Sequence, residues 1–121
     1  MREAALEVAE QLFAALERGD ADAVRDLYAP DVAVWHNFDD LEQDRETNLA
    51  TLAWMTRTLQ GLRYEIVRRE AIEGGFLQQH VLHARFPDGR EIAMPACMIV
   101  RVDDGRITRI DEYLDPRPVT G

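Results

Sequence analysis

The spacing of hydrophobic positions along the chain changes once, near Gly61. Before it, apolar residues recur every three to four positions. Leu6, Ala9, Leu12, Phe13 and Leu16 line one face of a helix predicted over residues 3–18, and Gly19 stops it. Asp20 is placed to cap a short second helix bearing Ala23, Val24 and Leu27, which Pro30 ends. Residues 32–37 read as a strand and residues 38–40 as a loop. Asp44 is an N-cap candidate for a third helix, with Leu49, Leu52, Ala53, Thr56 and Leu59 on one face.

After Gly61 the period becomes two. Leu62, Tyr64 and Ile66 alternate with charged residues. Strands over residues 76–86, 91–102 and 106–114 follow, separated by the turns Gly74-Gly75, Pro87-Asp88-Gly89 and Asp103-Asp104-Gly105. Four long strands on short turns predict an antiparallel meander. Helices first and strands afterwards predict an α+β domain. A twisted sheet with one apolar face needs the three helices as its cover, and the space between the two is where a small ligand fits. The whole of residues 1–121 reads as one domain, with residues 115–121 as a tail.

Composition narrows the partners. With 121 residues, 46% of them hydrophobic and 31% charged, the chain has the make-up of one globular domain. A formal charge of −9 with dispersed acids argues against nucleic acid, which needs clustered cations. No apolar run approaches the ~20 residues of a membrane span. All 14 cations are arginine, a bias that points to a high-GC bacterial genome. Met1-Arg2-Glu3 opens no signal-peptide pattern, and a single cysteine, which allows no internal disulfide, makes a reducing cytoplasm the expected location. The lone cysteine, Cys97, reads as a small apolar strand residue.

The order of elements resembles the nuclear-transport-factor-2-like superfamily, the cone-shaped fold of ketosteroid isomerases, limonene-epoxide hydrolases and SnoaL-like polyketide cyclases. The segments that carry it are Ala15-Leu16-Glu17-Arg18-Gly19-Asp20, Leu27-Tyr28-Ala29-Pro30-Asp31-Val32, Trp35-His36-Asn37 and the last strand, residues 104–115. The resemblance covers essentially the whole chain. It implies three N-terminal helices on a strongly curved, mainly antiparallel sheet that encloses a pocket. It also implies a homodimer paired through the sheet.

Limonene-epoxide-hydrolase-like members position a water with Tyr-x-Asn on the first strand. Trp35-His36-Asn37 is similar, with Trp35 in place of the tyrosine. Their middle-strand Arg-x-Asp would fall at His80 and Leu82, so two of those polar residues are missing here. Their last-strand carboxylate matches Glu112.

Alternation leads to the same carboxylate independently. If Glu112 points inward, Ile110 and Leu114 do too, and it is the one charge on an apolar face. Such a group suits proton transfer; a surface ion pair is the structural alternative. His80 shares a face with Gln78 and Leu82, where it can shuttle a proton, donate to a substrate oxygen, or simply be structural. His83 falls on the other face. His36 points away from Trp35 and Asn37 and is a candidate to buttress a loop. The three histidines do not form metal-ligand spacing, so neither metal nor other cofactor is expected.

The expected function is therefore cofactor-independent acid/base chemistry, by an isomerase, cyclase, lyase or hydrolase, on a small apolar oxygenated compound. Glu112 and His80 are the candidate catalytic groups. Trp35, Asn37, Gln78, Leu82, Met94, Met98, Ile110 and Leu114 are the candidate substrate contacts. The alternative is a non-catalytic ligand-binding or dimeric accessory domain of the same fold.

Overall fold

The structure, a computed structural model, describes residues 2–120. Helix α1 (Arg2–Glu17) buries Ala5, Val8, Ala9, Leu12, Phe13 and Ala15, one continuous face at helical spacing. Gly19 ends it in the left-handed region, at φ 70°. The Asp20 side chain then accepts from the Ala23 backbone N–H at 3.0 Å and starts α2 (Ala21–Leu27). Asp44 caps α3 (Arg45–Thr58) in the same way, through Thr47 N–H at 2.8 Å.

The strands are β1 (Tyr28–His36), β2 (Leu41–Gln43), β3 (Gln60–Ile72), β4 (Gly75–Arg85), β5 (Glu91–Asp103) and β6 (Arg106–Leu114), and a short α4 (Arg117–Thr120) follows. They form one six-stranded sheet in the order β2-β1-β6-β5-β4-β3. The expected meander is β3 to β6. Beyond it, β1 lies parallel beside β6, and β2 closes the edge antiparallel to β1.

Strand β1 starts at Tyr28, directly after α2, four residues earlier than the expected residue 32. Pro30 does not block it, because the register shifts between Tyr28 and Ala33 and the proline needs no ladder bond there. Part of the expected 38–40 loop leads straight into β2, which three residues cannot announce by periodicity.

Two further irregularities curve the sheet. On β3, Ile66 pairs with His80 but Arg68 pairs with Gln79, so Val67 is an extra residue. On β6, Arg109 pairs with Arg101 but Ile107 with Val102, so Thr108 is extra. Each resets the inward–outward alternation beyond it. That is why Ile107, an odd number of positions from Ile110, is nevertheless buried with it in the main core. The main core joins α1, α2 and α3 to the concave sheet face through Leu12, Phe13, Val24, Leu49, Val34, Phe76 and Val100. A smaller cluster of Leu59, Ala84 and Ile92 packs with Met55 and Val119 at the other end.

Candidate functional site

Between helices and sheet lies a cavity of about 260 Å³. Its wall is mostly apolar. Leu82, Met94, Met98, Ile110 and Leu114 line it, as their alternation predicts, and so do His80 and Glu112. Exposed Phe38 and Trp54 stand among the lining residues with Pro116 and Val119 of the C-terminal segment.

Three expected contacts lie elsewhere. Trp35 is not among the lining residues; its indole N–H donates to Asp40 Oδ1 at 2.8 Å and its ring packs edge-on against Tyr113. Asn37 ties strand ends together. Its Oδ1 accepts from Leu114 N–H at 2.8 Å, and its own N–H donates to the Glu112 carbonyl at 3.1 Å. Gln78 faces inward but is fully buried behind the wall, so it does not line the cavity. Cys97, read as an apolar strand residue, is only half-buried. His83 pairs with Glu65 away from the cavity, at 2.8 Å.

The residue missed beside the carboxylate is His36. Parallel pairing of β1 with β6 sets His36 directly beside Glu112, and paired residues share a face. Its Nε2 lies 3.1 Å from Glu112 Oε1, with the two side chains only 12% and 16% exposed. This hydrogen bond raises the His36 pKa above 6.5; burial opposes the rise and the Glu112 charge adds to it. His36 is thereby favoured as an imidazolium donating to the carboxylate. Alternation had already separated His36 from Trp35 and Asn37, but the sequence could not say which side was the inside.

Two phenols complete the polar set. Tyr64 lines the cavity, and burial foremost, then the nearby Glu112 charge, drives its pKa far up, so it keeps its proton. Tyr28 is shifted the same way for the same causes. Its hydroxyl donates to Asn48 Oδ1 at 2.7 Å, and Asn48 Nδ2 donates to Gln43 Oε1 at 2.9 Å. Among the described residues, no three His, Cys, Asp or Glu side chains converge as a metal site. No helix among them is long and apolar enough to cross a membrane.

With this architecture in view, the profile of the SnoaL-like domain matches residues 9–110. The chain belongs to the SnoaL-like domain family. This places it in the nuclear-transport-factor-2-like superfamily that its motifs resemble.

Solved structures agree on the fold. A candidate polyketide cyclase from Xanthomonas campestris pv. campestris superposes with a TM-score of 0.81 at 25% identity, covering 96% of this SnoaL-like chain and 93% of its own. AclR, a candidate hydroxylase from Streptomyces galilaeus, gives 0.87 at 16% identity, covering 98% and 83%. An LEH-like epoxide hydrolase from M. tuberculosis gives 0.81 at 22%, covering 97% and 86%. A search of curated proteins finds no match to the chain.

Proposed function

We propose that this SnoaL-like domain is a cofactor-independent acid/base enzyme acting on a small, largely apolar carbonyl compound, with Glu112 as the proton-transferring group. The observation that carries this reading is the His36–Glu112 pair, nearly buried in the wall of a mostly apolar cavity. Glu112 Oε1 is engaged by His36, which leaves Oε2 as the oxygen to meet a substrate.

In this scheme Glu112 Oε2 takes a proton from the carbon next to the carbonyl. The C–H electron pair moves into an enolate, and the carboxylate becomes the acid. The enolate oxygen is met by the Tyr64 hydroxyl, held protonated by its surroundings. Return of the proton to a different carbon isomerises the compound. Attack of the enolate carbon on a second carbonyl of the same molecule closes a ring, and the resulting alkoxide takes the proton back.

The polyketide-cyclase likeness supports the second outcome. Epoxide hydrolysis is less well supported, because Asn37 is committed to the Leu114 N–H and does not line the cavity. The test is Glu112→Gln against a panel of hydrophobic ketones and diketones, with binding followed by fluorescence of Trp54, in a variant whose Trp35 is replaced by phenylalanine. Binding should survive while turnover falls ~10²–10⁴-fold. Equal turnover by the variant would remove Glu112 from the chemistry. Binding without turnover in either protein would assign the non-catalytic ligand-binding role.

A further inference from the structure

His80 sits on the cavity wall, 3% exposed, with its ring packed edge-on against Tyr64 at 5.0 Å and tilted against Phe13 at 5.4 Å. Its role depends on which ring nitrogen carries a proton. Two neighbours, the buried Gln78 and the half-buried Arg69, decide that. Arg69 Nε donates to Gln78 Oε1 at 2.7 Å. A guanidinium can only donate, so the amide oxygen of Gln78 must face Arg69 and its NH₂ must face the other way. That NH₂ lies 2.9 Å from His80 Nδ1. An amide nitrogen can only donate as well, so Nδ1 is the acceptor and carries no proton. Neutral His80 then holds its one proton on Nε2, the ring nitrogen that is not engaged by Gln78.

This relay exists because of the extra residue at Val67. Without it, the alternation through Tyr64 and Ile66 would bring Arg68 inward. With it, Arg69 pairs with Gln78 on the inner face, its guanidinium 5.6 Å over the Phe13 ring.

We propose that Arg69 and Gln78 are positioning residues that lock His80 as the neutral Nε2–H tautomer, so that the cavity meets an N–H donor there rather than a base. The charged and titratable groups near His80 agree. Burial foremost lowers its pKa from 6.5, and the Arg69 charge on β3 lowers it further against the pull of Glu112 on β6. Tyr64 offers only a protonated phenol. The role assigned to that donor, meeting the oxygen that gains charge opposite Glu112, rests on the acid/base reading above.

The lock itself can be read without substrate. Protein labelled with ¹⁵N in its histidines gives long-range ¹H–¹⁵N patterns that separate the two neutral tautomers and the imidazolium, with His80 assigned through His80→Gln. At pH 7 His80 should show a protonated Nε2 and a bare Nδ1. An Nδ1–H tautomer or an imidazolium at that pH would overturn the proposal. Arg69→Met should release the Gln78 amide and mix the tautomers, whereas Arg69→Lys, which also only donates, should restore the single pattern. An unchanged pattern in Arg69→Met would show that Arg69 is structural and would equally sink the idea. Turnover of the ketone panel by the parent and by Glu112→Gln, followed separately, reports on the acid/base reading alone, so the two failures are distinguishable.

Discussion

His36 draws its raised basicity from its contact with Glu112, and this has a pH signature. The folded protein holds the imidazole above its ordinary 6.5, so folding gains from proton binding. That gain is complete below about pH 6.5 and fades as pH rises through the folded value. Glu112→Gln should therefore lower the melting temperature more at pH 6 than at pH 9, which paired melts will show. His80 carries the opposite sign. Its depressed pKa favours the fold above about pH 6.5 and is lost as pH falls through the folded value, so His80→Gln should flatten the acid limb of the stability curve. Tyr28→Phe tests the buried chain to Asn48. It strands the Asn48 oxygen and should cost about 1–3 kcal/mol in denaturant melts. Much of this site was legible in the sequence, because alternation marks which residues share a face: Leu82, Met94, Met98, Ile110 and Leu114 with Glu112. It could not reveal His36 or Arg69. One depends on a parallel strand pairing and the other on a single extra residue in β3, and neither leaves a periodic trace.

At the scale of elements, the legible parts were those with local rules. Capping aspartates, a glycine stop and a change of period set α1 to α3 and β3 to β6 close to where they lie. The illegible parts were set by pairing over distance: β1 beside β6, the three-residue β2, and the offsets at Val67 and Thr108. The β4–β5 junction depends on a close approach that only glycine allows. A Cβ at Gly75 would fall 1.8 Å from the Val100 carbonyl oxygen, inside the neighbouring backbone rather than against a movable side chain. Gly75→Ala should therefore force the two strands apart where Phe76 and Val100 enter the core. The expected loss is on the order of 3 kcal/mol or more, with amide exchange speeding first at the paired ends of β4 and β5. A variant that melts like the parent, with unchanged exchange there, would mean that the strands do not meet this closely.

For the whole molecule, the unbalanced feature is the outer face of the sheet. The helices cover the concave side. On the convex side Val67, Val81, Pro95, Cys97 and Tyr113 line a shallow groove, with Val67 63% and Tyr113 47% exposed. Covering such a strip removes apolar surface from water at about 25 cal/mol per Å², and a second copy of the chain offers a self-complementary patch about a two-fold axis. We expect a homodimer through this face. Opposing it is the charge of −9 on each chain, which must be brought together on association. The two forces respond differently to salt. Screening weakens the repulsion and leaves apolar burial intact, so the dimer should tighten as ionic strength rises above about 0.15 M. Light scattering at micromolar concentration should give twice the 13.9 kDa monomer mass. Val81→Arg, which sets a cation in the middle of the strip, should return the mass to the monomer value. Its melting temperature at low protein concentration should hardly change, since Val81 lies outside both buried clusters. A parent protein that scatters as a monomer at high salt would leave the convex face without a partner of its own kind.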